Sequence, residues 1–136
     1  MKKITVEIVI NASVAKVWEC WTKPEHITKW AFASESWEAP YAENDVRVGG
    51  KFVTQMSAKD KSESFEFGGV YTSLLNQKYI EYKMEDGRQV SVKFDESTNG
   101  VKTTQSFDPE SENSLEMQRA GWQAILDNFK KYVEKE

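Results

Sequence analysis

The sequence contains one cysteine, one histidine and three prolines in 136 residues, and these scarcities exclude several classes of protein. A single thiol, Cys20, cannot form an internal disulfide, which fits the reducing cytoplasm. One histidine and one cysteine cannot build a transition-metal site, so we expect no metal. No glycine-rich loop precedes a helix, because Gly49-Gly50 leads into a strand, and we expect no cofactor.

Long apolar runs and blocks of one charge are also missing. No run approaches the ~18 residues that are needed to cross a bilayer, and the N-terminus lacks the apolar segment of a signal peptide. The 18 basic and 22 acidic residues are mixed along the chain and give a net charge of −4. We therefore expect no membrane insertion and no nucleic-acid partner. These properties predict a single cytoplasmic domain over residues 1–136.

Aromatic residues, by contrast, are abundant at 12%, with five tryptophans, and the C-terminal segment carries a wide apolar stripe. From about Ser114 to Val133 apolar residues recur at steps of three and four, which predicts a half-buried helix. Asn113, with Glu116 three residues later, is typical of a capped helix start. The stripe consists of Leu115, Trp122, Ile125, Leu126, Phe129 and Val133.

The first 30 residues predict one strand and two short helices. Residues 3–10 alternate between apolar and polar, as a strand does. Ser13 is a good N-cap for a helix over 14–21. Pro24 suits the first position of a second helix, which is expected to end near Trp30.

Residues 31–49 are less regular, and from Gly50 onward the pattern has period two. Trp37 is expected on a short strand, and residues 40–48 are expected to form a loop. Gly68-Gly69 interrupts a later strand, which we interpret as a bulge that bends it. Asp86-Gly87 and Asn99-Gly100 are strong hairpin signals. Strands in one run with helices at the ends predict an α+β fold: a curved antiparallel sheet of about six or seven strands wrapped round the long C-terminal helix.

Three stretches together resemble one known superfamily. They are Ser13 to Trp18 continuing to Trp30; the Asp45–Gly50 turn, followed by Met56 and by Gly69-Val70-Tyr71; and Gly121-Trp122 with Ile125, Leu126 and Phe129. In this order they resemble the helix-grip fold of the START/Bet v 1-like (SRPBCC) superfamily. More narrowly, they resemble the family related to the C-terminal domain of the activator of the 90-kDa heat-shock protein ATPase.

The resemblance implies a cavity between the sheet and the C-terminal helix. Inward-facing residues of the pattern would line it, and two tryptophans would flank its mouth, either as a mobile lid or as packing over the sheet edge. The predicted ligand-binding residues are Trp30, Trp37, Phe52, Met56, Phe67, Tyr82, Val92, Gln105, Trp122, Ile125 and Phe129. The alternative is that the same residues simply fill a core.

No catalytic residue is predicted. His26 lies in a helix-opening segment, where a polar residue is normally solvated, and Cys20 has no evident base to activate it. Arg47, beside Gly49-Gly50, is interpreted as part of a structural turn.

Three functions stay open at this point. The first is non-enzymatic binding of a small hydrophobic molecule, of an aromatic, lipid or polyketide-like class by resemblance. The second is a protein-interaction module that assists a heat-shock chaperone in a stress response, as the family name implies. The third is a cyclase-like enzyme that uses the same cavity, with Gln105, Tyr82 and Tyr71 as its only candidate polar groups. A monomer or weak dimer is expected.

Overall fold

The computed structural model describes residues 3–135, which form one antiparallel sheet and three helices. In chain order the elements are β1 Ile4–Ile10, α1 Val14–Thr22, α2 Pro24–Ile27, β2 Trp37–Asn44, β3 Lys51–Ala58, β4 Ser64–Leu75, β5 Tyr79–Met84, β6 Gln89–Ser97, β7 Gly100–Phe107 and α3 Leu115–Lys135. The strands lie in the order β1-β7-β6-β5-β4-β3-β2. The sheet curls into a half-barrel beneath α3, which confirms the expected helix-grip fold.

The inner face of the sheet follows the period-two pattern of the sequence. On β6, Val90, Val92 and Phe94 are buried while the residues between them face outward. On β7, every second residue from Val101 to Phe107 is buried in the same way. Alternation alone therefore places these side chains on the correct face.

Gly68 and Gly69 do not form the expected bulge. They pair in unbroken register with β3, and the irregularity in β4 lies further on, between Tyr71 and Ser73. A Cβ on Gly68 would lie 2.5 Å from the backbone oxygen of Phe52, and one on Gly69 would lie 2.5 Å from that of Lys83. The glycines are required because both neighbouring strands approach β4 closely at this point.

The predicted loop over 40–48 is also wrong in part. Residues 40–44 belong to β2, and only residues 45–50 form a turn. A proline is tolerated at position 40 because β2 is an edge strand, and its register shifts between Glu38 and Tyr41. In addition, α2 ends at Ile27, so that Trp30 lies in the turn that follows.

The long helix begins one residue later than the sequence suggests. The Ser114 hydroxyl accepts a hydrogen bond from the Met117 amide at 3.1 Å, so Ser114 is the cap. Asn113 donates to Glu110 instead. Leu115 is 58% exposed and lies outside the apolar stripe, which continues through Leu126, Phe129 and Val133 in the core.

The same helix covers the free edge of β1. Three side chains of α3 donate hydrogen bonds to the carbonyl groups of alternate β1 residues, at 3.0, 3.1 and 2.6 Å. The pairs are Arg119–Thr5, Gln123–Glu7 and Lys130–Val9. These bonds satisfy an edge that would otherwise be open, and they fix α3 above one side of the sheet.

Candidate functional site

A cavity of about 470 Å³ lies between the N-terminal half of α3 and strands β3 to β5. Its walls are mainly aromatic and aliphatic. The volume falls within the range of roughly 300–1,000 Å³ that is typical of small-molecule sites. Most of the predicted site residues meet around it: Trp30, Phe52, Met56, Phe67, Tyr82, Gln105, Trp122 and Ile125.

Three predicted site residues do not line this cavity. Val92 and Phe129 are fully buried in the packed core. Trp37 lies on the edge strand β2, where its ring packs against Phe65 with centroids 5.8 Å apart. Each of the three lies on the strand or helix that the sequence predicts, but its side chain packs against other side chains and does not border the cavity.

Trp122 separates the cavity from the packed core. Its ring stacks on Phe107, with centroids 3.9 Å apart and planes 9° from parallel. Towards the cavity it meets the edge of Phe67 at 5.8 Å. The indole is therefore held firmly on one side, and it forms a wall of the cavity on the other.

A cluster of rings on the sheet forms the floor. Phe52 lies 4.7 Å from the ring of Tyr82 and 5.2 Å from that of Tyr71. Phe67 completes the group at 6.0 Å from Phe52. These side chains come from four residues on three adjacent strands, which alternation brings to one face.

The helical wall is built around Trp30. This side chain is 5% exposed, and its indole N–H donates to the carbonyl oxygen of Cys20 at 2.9 Å. Its ring packs against Phe129 and Trp21 at 4.6 and 5.0 Å. Trp30 is thus a fixed part of the wall, which agrees with the packing alternative rather than with a lid.

Two phenols, Tyr71 and Tyr82, belong to the polar part of the lining. The Tyr71 hydroxyl donates to the side-chain oxygen of Asn44, whose amide donates to the carbonyl of Thr22 at 2.7 Å. Burial raises the pKa of Tyr71 to about 12. Burial also raises the pKa of Tyr82, and the nearby side chain of Gln105 offsets part of that rise. Both phenols are therefore neutral near pH 7, and they can orient a ligand oxygen without acting as bases.

Gln118, which is 7% exposed, stabilises the segment 110–113 at the rim of the cavity. Its side chain accepts from the Glu110 amide at 2.8 Å and donates to the carbonyls of Glu110 and Asn113. Two exposed apolar side chains, Phe65 and Met117, also belong to the lining. The rim thus combines an ordered polar segment with apolar side chains that are open to solvent.

Several lining residues were not predicted from the sequence, and Arg88 is the most important. It lies two residues before Val90, so alternation puts it on the inner face, a signal that was available in the sequence. Asn44 fell within the predicted loop. Gly121 and Gln118 lie on α3, one and four residues before Trp122, but neither fits the apolar stripe.

The other chemically reactive residues lie outside this lining. His26 is hydrogen-bonded to the Tyr132 hydroxyl, and Cys20 is buried at 2% exposure. Arg47 pairs with Asp45 in an exposed turn, where a Cβ on Gly50 would lie 2.1 Å from a backbone oxygen. The turn is therefore structural, as expected.

Two features are absent from residues 3–135. Within this range, no group of three or more histidine, cysteine, aspartate or glutamate side chains is placed to hold a metal ion. No helix in that range is both long and apolar enough to cross a membrane.

Comparison with known proteins places this geometry in context. The family model described as "Activator of Hsp90 ATPase homolog 1-like protein" matches residues 11–134. A solution structure of an AHSA1-like protein from Aeromonas hydrophila is 39% identical, with a TM-score of 0.92, over 98% of this chain and 92% of that one. Chr148 from Cytophaga hutchinsonii is 48% identical over the same shares, with a TM-score of 0.84.

More distant structures share the fold. CV1439 from Chromobacterium violaceum has a TM-score of 0.87 at 22% identity, and the match covers 98% of this chain and 99% of that one. The comparison with curated proteins gave no match.

Proposed function

The chain belongs to the Activator of Hsp90 ATPase homolog 1-like family, and from that premise we propose that it binds a small hydrophobic molecule without transforming it. Membership and fold by themselves support only a ligand-binding or chaperone-associated domain. The observation that carries the finer proposal is the cavity of about 470 Å³ with its largely apolar walls. We further propose a cytoplasmic protein that is a monomer or weak dimer.

Apolar burial would supply most of the affinity. Each Å² of ligand and wall removed from water contributes about 25 cal/mol. The rings of Phe52, Phe67 and Trp122 offer edges and faces to an aromatic or aliphatic body. The neutral hydroxyl of Tyr82 and the amide of Gln105 would then fix its orientation.

The test is a thermal-shift screen of delipidated protein against flavonoids, fatty acids, sterols and polyketides. A ligand at 100 times its dissociation constant adds about 2.7 kcal/mol of stability, which raises the melting temperature of a domain of this size by several degrees. A rise confined to one chemical class would identify that class.

A matched pair of variants ties the shift to the cavity. Gly121 lines the cavity, and a Cβ there meets no atom within 4 Å, so Gly121→Leu is expected to place a side chain in the open space and to abolish the shift. Ala120→Leu adds the same side chain at the exposed neighbouring position, and it should leave the shift intact. If no compound shifts the melting temperature and the tryptophan fluorescence is also unchanged, the proposal that the protein binds a small hydrophobic molecule is contradicted.

Assistance to a heat-shock chaperone is the second candidate. It is favoured by the exposed apolar side chains on the rim, Phe65 at 51% and Met117 at 64%. The test is the ATPase rate of the purified 90-kDa chaperone with and without this protein. An increase that is lost in the Phe65→Ser, Met117→Ser double variant would support the role, and an unchanged rate would exclude it.

A cyclase-like activity has less support. Such chemistry requires a group that exchanges a proton near neutral pH. Burial raises the pKa of both cavity phenols, Tyr71 and Tyr82, so they remain protonated in that range.

A further inference from the structure

Resting on the proposed function, we propose that the ligand is an amphipathic acid whose anionic head binds the guanidinium of Arg88. The apolar body would lie among the rings of the cavity, and the head would lie where β5 turns into β6. This assigns the ligand a chemical class: an aromatic or aliphatic body that carries one carboxylate or sulfonate.

The hairpin turn determines the position of Arg88. Gly87 has a φ of +93°, which reverses the chain sharply between Asp86 and Arg88. Val90, two residues after Arg88, is 1% exposed on the inner face of β6. The same alternation puts Arg88 on the inner face, where its side chain is 23% exposed and lines the cavity.

The guanidinium has hydrogen-bonding capacity left over. Its Nε donates to the carboxylate of Asp86 at 2.8 Å, and the Asp86 side chain is 54% exposed on the solvent side. Among residues 3–135 no acceptor is hydrogen-bonded to its two terminal amino groups. Those groups form the planar fork that matches a carboxylate or sulfonate in two parallel hydrogen bonds.

Within residues 3–135, the acidic residues of the cavity lining accept no hydrogen bond from this guanidinium. The Glu110 carboxylate accepts three hydrogen bonds, from the amides of Glu112 and Asn113 and from the Asn113 side chain. Glu66 lies opposite Gln55 of β3 in the strand register. Alternation puts its side chain on the other face of β4 from Phe65 and Phe67. Among residues 3–135, Arg88 is therefore the one cationic side chain of the lining, and no hydrogen-bond acceptor occupies the outer edge of its guanidinium.

The field of Arg88 reaches both the interior and the rim. Burial is the main influence on the pKa of Tyr82 and raises it, and the charge of Arg88 offsets part of that rise. Hydrogen bonds from Asn113 mainly lower the pKa of Glu110, and Arg88 adds to that decrease. A head group at the guanidinium would be subject to this attraction and also to the opposing charge of the Glu110 carboxylate.

Arg47 provides an internal comparison. It too donates its Nε to an aspartate two residues earlier, Asp45, at 2.8 Å. Its side chain, however, is 73% exposed in the turn before β3, and it does not line the cavity. Arg88 is therefore distinguished by its place in the cavity lining and not by its pairing with a nearby aspartate.

The experiment compares two dyes that differ by a single sulfonate, 1-anilinonaphthalene-8-sulfonate and the neutral N-phenyl-1-naphthylamine. Each is titrated by fluorescence into the wild type, Arg88→Gln and the matched control Arg47→Gln. In Arg88→Gln we expect the affinity for the sulfonate dye to fall about tenfold, the factor expected of one charge-assisted hydrogen bond. The affinity for the neutral dye should change less than about twofold, and Arg47→Gln should alter neither.

The outcomes separate the two proposals. Binding of both dyes with no selective loss in Arg88→Gln would overturn the acidic ligand while still supporting a hydrophobic cavity. Failure of both dyes to bind the wild type would remove the proposed function itself. If Arg88→Gln loses the native circular-dichroism spectrum, Arg88→Met, which keeps an apolar stem without charge, takes its place with the same expectations.

Discussion

The space beneath α3 consists of two halves that are built alike and filled differently. In the packed half, Phe129 and Val133 on the helix are fully buried, and the Phe129 ring packs against Trp21 of α1 at 5.0 Å. In the hollow half, Gly121 and Trp122 face β3, β4 and β5 across the cavity. Trp122 stands on the boundary.

The difference shows that inward-facing residues do not by themselves make a core. Side chains of α3 bond to the edge of β1, which fixes the helix above one side of the sheet. The sheet then curls away through β4, where Gly68 and Gly69 permit close strand contacts. The space therefore widens towards β3 and β4, and the rings of Phe52 and Phe67 leave part of it open.

The largest expected effect is a contrast between two phenylalanines. Phe129→Ala should lower the free energy of unfolding by about 3–5 kcal/mol, because a fully buried ring is removed from a packed site. Phe67→Ala should cost only about 1 kcal/mol, since its ring is half-buried and already faces open space. Urea unfolding measures both, and equal losses would abolish the distinction between the halves.

A second effect concerns alkaline pH. The pKa of Tyr71 in the hollow half is raised from 10.0 to about 12 by burial. Between these values the unfolded chain has released the proton while the folded one retains it, so stability falls as pH rises. This difference in pKa corresponds to about 3 kcal/mol of stability, which is fully present below pH 10 and lost by about pH 12.

Replacing Tyr71 by Phe removes this titration. In urea unfolding from pH 9 to 12, Tyr71→Phe should therefore lose less stability than the wild type over the range. Parallel losses in the two proteins would show that this phenol is not buried in the folded state.

A smaller effect tests the curl of the sheet. Gly69→Ala would put a Cβ 2.5 Å from the backbone oxygen of Lys83, a contact that neither strand can relieve by moving a side chain. We expect a loss of about 1–3 kcal/mol, measured as a lower melting temperature. An unchanged melting temperature would mean that β4 and β5 separate easily here, and that the curl does not depend on glycine.

The smallest effect has the opposite sign. Gly121→Ala is the same substitution in the middle of α3, where a Cβ meets no atom within 4 Å. It should stabilise the protein by about 0.5–1 kcal/mol, the difference between the two residues in a helix interior. A loss of stability would show that this face of the helix is packed, and that the cavity closes in solution.

The two predicted tryptophans illustrate how far the site could be read from the sequence. Both flank the irregular segment, and nothing local distinguishes them. Trp30 is fixed in the cavity wall by the hydrogen bond from its indole N–H to the carbonyl oxygen of Cys20, whereas Trp37, on the edge strand β2, packs against Phe65. Their difference depends on where α2 and β2 lie relative to each other, which is a long-range property.

The same limit applies along the strands. Alternation placed Val92 and Gln105 correctly on the inner face, yet only Gln105 lines the cavity. The same alternation extends to Arg88, which lies between the hairpin turn and the first residue of β6. Asn44 lies within the segment 40–48 that the sequence predicts as a loop, so no inward orientation is predicted for it. Its hydrogen bond with Tyr71 forms part of the polar lining.

By itself the sequence determined the order of the elements, the buried face of each strand and most of the apolar stripe of α3, because these depend on period and on residues close in the chain. The tertiary structure alone decided which buried faces meet a neighbour and which meet open space. That outcome depends on the curl of the sheet and on the anchoring of α3 to β1, and the hydrogen bonds of that anchoring join residues more than one hundred positions apart.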